Sequence, residues 1–255
     1  MFSFWHKEPV LPAETSDWLW QNFAWAMRNF DADVFYNDSI LVLPTNKYFA
    51  GTMHNHDEMA QSVFENVRKY AGMSHWACQV LPQQAQCEIE QPKVEIIGAL
   101  RGDKGQKVDN PSHYLPIYYN PQQVSHPETL IANFAHMLAH YLSTMATEPP
   151  PNNDNNQWQY STEVVAIFMG FGIMFANSAF TFKGSCASCT PAGGDRAASL
   201  SELEATYTLA IFCSLKQLPA KKIKNFIKSH LRGFFTRAVK EANIAPQRQA
   251  LLNKK

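Results

Sequence analysis

Phe134-Ala135-His136-Met137-Leu138-Ala139-His140-Tyr141-Leu142 is the stretch on which the reading of this chain turns. Its apolar residues recur at helical spacing and its two histidines stand four apart. A helix here puts both imidazoles on one face, with β-carbons about 6 Å apart. That is the spacing of two metal ligands. In the helices of zinc peptidases a glutamate follows the first histidine and takes a proton from the metal-bound water, and the second histidine completes the chelate. Met137 stands at that position here. Its thioether accepts no proton at any accessible pH, and a positioned general base contributes about two to four orders of magnitude in rate. A bare histidine pair at this spacing also occurs as satisfied core or surface residues, so the neighbouring segments have to decide.

Downstream and upstream of the pair the chain is strongly helical. Ser125 and Glu128 form a capping-box pair around Pro127, which predicts a helix from there to about Met145. Residues 148–156, a run of Pro and Asn, cannot continue it and read as a solvated loop leading to the next helix. Residues 164–182 carry no charge and are long enough to cross a bilayer. Gly170, Gly172, Asn177, Ser178 and Thr181 interrupt that run, and no aromatic and basic flanks bracket both ends. It therefore reads as the buried central helix of a folded domain, with the two glycines as close packing contacts. Ser201 and Glu204 make a second capping box before a helix to about Leu215. A basic amphipathic helix is expected from Ala220 to about Ala242, with Ile223, Phe226, Ile227, Phe234 and Phe235 on its apolar stripe.

The first half alternates. A helix is expected over 15–29, where Trp18, Leu19, Phe23, Ala24 and Met27 share a face, and another over 57–70. Strands are expected over 39–43, 76–81, 94–100 and 114–119, where β-branched and aromatic residues dominate. The fold class is α+β, with helices and a small sheet in the first half and a mainly helical second half. The 255 residues read as one domain: an α/β half over 1–124, a helical half over 125–217 that carries the histidine pair, and a basic helix and tail over 218–255. A hydrophobic content of 45% excludes global disorder.

Five cysteines at 78, 87, 186, 189 and 213 are odd in number and irregular in spacing, which suits reduced thiols and a cytoplasmic protein. Cys186 and Cys189 have the spacing of half a zinc ribbon or a redox pair, but no second such pair exists, so structural thiols are the plainer reading. The N-terminal residues lack the cationic, apolar and small-residue succession of a signal peptide, and no export is expected. Net charge is zero, yet residues 216–255 hold eleven of the 22 Lys and Arg and a single acid, Glu241. Such a block is a solvated helix face, or a surface for nucleic acid or anionic lipid through Lys221, Lys222, Lys224, Lys228, Arg232 and Arg237.

Several segments together carry a resemblance. They are the histidine stretch, Thr162-Glu163-Val164-Val165-Ala166 with the following residues to Gly172, Ala176-Asn177-Ser178, Leu43-Pro44-Thr45 with Tyr48-Phe49, and Leu200-Ser201-Glu202 with 207–212. Across roughly residues 15–235 the chain resembles a family of largely uncharacterised bacterial proteins with a zincin-like, zinc metallopeptidase-like helix pair. The resemblance implies two histidines from one helix, a carboxylate ligand from the next, and a second carboxylate four residues on that holds a ligand histidine. Residue by residue, this makes His136, His140 and Glu163 the metal ligands and Gln159 a degenerate ligand or a support to the ligands. Gln159 stands where the family's glutamate is expected, Glu163 where its aspartate is, and Met137 where the base is. The expectation is therefore a catalytically impaired relative, a pseudoenzyme, with zinc weakly held or absent, that binds a polypeptide or another partner. An active metal-dependent hydrolase with a non-standard base and a nucleic-acid or membrane-surface module stay open as alternatives, and so does whether the protein is an enzyme.

Overall fold

A computed structural model describes residues 8–49, 55–83, 95–151, 157–179 and 198–252. The loop residues 152–156 and the thiols Cys87, Cys186 and Cys189 lie outside them. The described chain is mostly helical with little sheet, an α+β fold in that coarse sense. Helix α1, Ala13–Asn29, buries Leu19, Trp20, Phe23, Trp25, Ala26 and Met27 along one stripe. A short α2, Ala32–Asn37, starts where the Asp31 carboxylate accepts the N–H groups of Asp33 and Val34. Helix α3, His56–Tyr70, is capped by Asn55. Both longer helices lie where the periodicity puts them.

The sheet is smaller than the propensities suggest. Strand β1, Cys78–Pro82, pairs in parallel with β4, Leu115–Tyr119, from Cys78 opposite Leu115 to Pro82 opposite Tyr119. Between them β2, Ile97–Gly98, and β3, Gly105–Gln106, form a two-residue antiparallel ladder. The strand expected over 94–100 shortens to β2 because Gly98 has a φ of 83°, outside the pleat. The strand expected over 39–43 does not form. Leu41 and Val42 are buried as the pattern demands and Ile40 is 42% exposed, but the segment's partner is a helix. The Val42 N–H donates to the Gly170 carbonyl at 3.0 Å, and the Ser39 N–H to the Val34 carbonyl at 2.8 Å.

The second half builds the core. Helix α4, Pro127–Ser143, carries the histidine pair. It starts one step later than expected: Ser125 ends a 3-10 turn and its hydroxyl donates to the Gln122 carbonyl at 2.9 Å, so the Ser125–Glu128 capping box does not form. Helix α5, Trp158–Ala166, runs through a π-turn, Ile167–Phe171, into α6, Gly172–Ser178. This apolar succession is the one stretch among the described residues long and apolar enough to cross a membrane, and 94% of its most apolar window is buried inside the fold. It is a core helix. Gly172 packs against Leu209, as a close contact should. Gly170 does more: its φ of 109° opens the π-turn, and a Cβ there would overlap the Ile40 carbonyl.

Helix α7, Glu202–Leu215, opens with the expected Ser201–Glu204 capping box and packs on α6 and on α9, Arg232–Ile244. The single basic helix expected from Ala220 does not form. Helix α8, Ala220–Ile223, gives way to two 3-10 turns before α9, and α10, Pro246–Leu252, ends the described chain. The break has a non-local cause. The Asn177 side chain donates to the Phe226 carbonyl at 2.9 Å and accepts the Lys228 N–H at 3.1 Å, capturing backbone groups that a helix would need.

Candidate functional site

Helices α4 and α5, which carry the residues singled out in the sequence, pack against each other. Four-residue spacing in an unbroken α4 keeps His136 and His140 on one face. His136 is half-buried, and His140 lies toward the surface. The Trp158 indole N–H donates to His140 Nδ1 at 3.3 Å, with the two rings edge-on and 6.4 Å between centroids. Burial holds the His140 pKa below its ordinary 6.5. Met137 is half-buried and packs against the hydrophobic core.

Glu163 is fully enclosed, with 0% of its surface exposed. Its Oε1 accepts the Ser199 N–H at 3.0 Å and its Oε2 the Leu200 N–H at 2.9 Å. Gln159, one turn earlier, accepts a hydrogen bond from the Ser199 hydroxyl at 3.4 Å. The shared face of Gln159 and Glu163 thus holds the chain on its way into α7. The next residue, Ser201, caps that helix. Ionised acceptors make the stronger class of hydrogen bond, so Glu163 is a firm bracket for this junction.

Catalytic zinc takes three protein ligands in a near-tetrahedral set. Among the described residues no three His, Cys, Asp or Glu side chains come together as a group that could hold a metal ion. The imidazoles of α4 supply two donors, Gln159 is a neutral amide, and both Glu163 oxygens already receive backbone N–H groups. This donor set fits a zinc site poorly. The two described thiols are no better as ligands or nucleophiles: burial pushes Cys78 up to about 12 and raises Cys213 as well, so neither is a thiolate near neutrality.

Two features were not legible beforehand. One is a cleft of about 470 Å³ between α2, α3 and the β2–β3 hairpin, lined among others by Asp38, Lys69, Ser74, His75, Asp103 and Lys107. Only the cluster of glycines at 98, 102 and 105 signals it in the sequence. The other is Arg101, 1% exposed, in the wall of that cleft. Its guanidinium donates to the carbonyls of Ala71 at 2.9 Å and Phe30 at 3.4 Å and to the Ser39 hydroxyl at 2.9 Å, and lies 5.2 Å from the centre of the Phe168 ring. Burial pushes it down to about 10, against the pull of Asp31 and Asp38, so it stays charged.

Several C-terminal cations are already engaged. Lys216 donates to the carbonyls of Phe35 and Tyr36, Arg232 to those of Ile227 and Asn225, and Lys228 and His230 pair with Glu202. Lys221, Lys222, Arg237 and Lys240 are exposed. No protein-family model, curated protein or solved structure matches the chain.

Proposed function

We propose that the protein is a non-hydrolytic relative of the zincin-like proteins and works by binding a polypeptide partner. The observation that carries this reading is the use made of Glu163. The carboxylate that a metal would require is enclosed and bracketed to the Ser199 and Leu200 N–H groups. Met137 adds to it by packing against the core, with no proton acceptor to offer. Neither side chain is arranged to activate a water.

Metal content and peptidase activity test the reading together. Protein purified without added zinc or an affinity tag is expected to hold far less than one zinc per chain and to leave casein and short peptides uncleaved. Met137→Glu and the double change Met137→Glu, Gln159→Glu, each supplied with zinc, are the variants in which activity is expected first, to be lost again with His140→Ala. Stoichiometric zinc with hydrolysis by the unchanged protein defeats the proposal.

A second reading, binding of a polyanion through the C-terminal cations, has one observation in its favour. Glu241, the single acid of residues 216–255, is turned inward, where it accepts the Val10 N–H and the Tyr207 hydroxyl, each at 3.0 Å. It therefore leaves the outer cations unneutralised. Weak, salt-sensitive binding to random single-stranded and duplex DNA is the expected signature.

A further inference from the structure

The turn that follows α3 grips the loop that joins β2 to β3 at several points. The Trp76 indole donates to the Leu100 carbonyl at 2.9 Å, the Gly102 N–H to the Gly72 carbonyl at 2.8 Å, and Arg101 to the Ala71 carbonyl. These hold residues 100–102 to the core. On either side of that loop the hairpin meets His75, at Ala99 and at Gly105. The backbone of Ala99 supplies that ring's hydrogen bond. Its flat face lies against Gly105, where any added Cβ would overlap the ring. Its Nε2 is shut off from solvent and has no hydrogen-bond partner among the described residues.

We propose that His75 is a proton-operated latch on the β2–β3 hairpin: a proton on the enclosed Nε2 ejects the ring from beneath Gly105 and opens the neighbouring cleft. A neutral imidazole tolerates this position, because the lone pair on Nε2 is only an unused acceptor. A protonated one buries an N–H donor with nothing to receive it, beside the positive charge of Arg68. The ionisable groups around the cleft besides His75 are Lys69 and Tyr70 from α3, Asp38 after α2, and Arg101, Asp103 and Lys107 from the hairpin side. Among the described residues no carboxylate contributes to His75's electrostatics; burial, the largest influence, and Arg68 disfavour its cation, against the Ala99 backbone, which favours it. Residues 100–102 keep their own anchors, so the motion is a fraying of the ladder on either side of them, which breaks the Ala99 and Gly105 bonds with the core left closed.

The direction follows from linkage. His75 binds its proton less readily in the closed state than in the opened one, so closure is favoured above the ordinary pKa of 6.5 and weakens as pH falls below it. A proton that binds only the opened state with an ordinary pKa raises the open population about tenfold between roughly pH 7.5 and roughly pH 5.5.

Hydrogen exchange of the intact protein at those two values, corrected for the chemical exchange rate, reads this directly. The amides of Ala99 and Gly105, bonded to the carbonyls of Lys104 and Gly102, are expected to lose protection about tenfold at the lower pH, while the Gly102 amide holds. His75→Gln, which cannot titrate, is expected to abolish the difference. Gly105→Ala, which crowds the ring out, is expected to leave the hairpin open at both values. Equal protection at the two values in the unchanged protein, the same loss in His75→Gln, or a closed hairpin in Gly105→Ala each overturns the latch. Should a variant fail to fold, the unchanged protein decides alone: the His75 ring resonance and the hairpin amides must titrate with one midpoint, and separate midpoints refute the proposal.

Discussion

Among the described residues Glu163 and Arg101 are the two charged side chains that are fully buried, and both spend their charge on backbone. Glu163 accepts from two consecutive N–H groups at one junction, just ahead of α7. Arg101 donates to carbonyls at residues 30 and 71 and to the hydroxyl of Ser39, so it ties together three places distant in the chain. Each stands where regular structure leaves polar backbone groups without partners, which an interior does not tolerate. The difference is one of reach. Glu163 fixes how one helix is approached, whereas Arg101 fixes how α1, α2, α3 and the hairpin loop meet.

Arg101→Ala is accordingly expected to be the most damaging change, at about 4 kcal/mol, since it leaves two buried carbonyls and a hydroxyl unpaired and a cavity over Phe168. Chemical denaturation measures it, and a loss below about 1 kcal/mol would break the comparison on the Arg101 side. Glu163→Gln should cost about 2 kcal/mol, because an amide nitrogen then faces an N–H donor and the remaining bond loses its charge. Its effect should stay local: amide exchange should quicken around residues 199–201 while the hairpin keeps its protection. Ser201→Ala removes the cap at the same junction and should cost about 1 kcal/mol. A loss as large as that of Glu163→Gln would mean that the cap, and not the carboxylate, fixes the junction.

The smallest expected effect concerns a charge that forms only on acidification. Burial lowers the His140 pKa, so the stability that neutral His140 contributes is present above its ordinary 6.5 and declines as pH falls through the lowered value. Trp158→Phe removes the indole and its hydrogen bond to Nδ1, and the His140 ring, followed by NMR, should then titrate closer to 6.5. An unchanged midpoint would show that another part of the fold shields the ring.

What the sequence shows well is what local periodicity controls. α1, α3 and α4 lie where their apolar repeats put them, and the Ser201–Glu204 capping box opens α7 as its spacing predicts. What it conceals is decided by partners far along the chain. The apolar run over 39–43 satisfies strand propensity, yet its N–H goes to a helix carbonyl that only a π-turn leaves open. The basic run after Ala220 satisfies helix periodicity, yet Asn177 intercepts its backbone. In the candidate site the shared face of Gln159 and Glu163 follows from their four-residue spacing, while the target of that face, Ser199 and Leu200, does not. Arg101 lies in a glycine-rich loop with no periodicity at all, so nothing local marks it as buried.

The π-turn at Gly170 also sets the phase of everything after it. Each residue turns a helix by about 100°, so one residue held outside the α-helical count rotates α6 by that angle relative to an uninterrupted continuation of α5. Helical-wheel arithmetic carried from Glu163 across the turn to Asn177 therefore assigns the wrong faces. Deleting Gly170 would straighten the helix while swinging Asn177 away from the Phe226 carbonyl and the Lys228 N–H that it brackets. The C-terminal segment would then be free to close its break and run on as the single helix its own residues specify. The extra residue in the core thus acts as a frame marker, setting from a distance the face on which Asn177 meets the break in the basic segment.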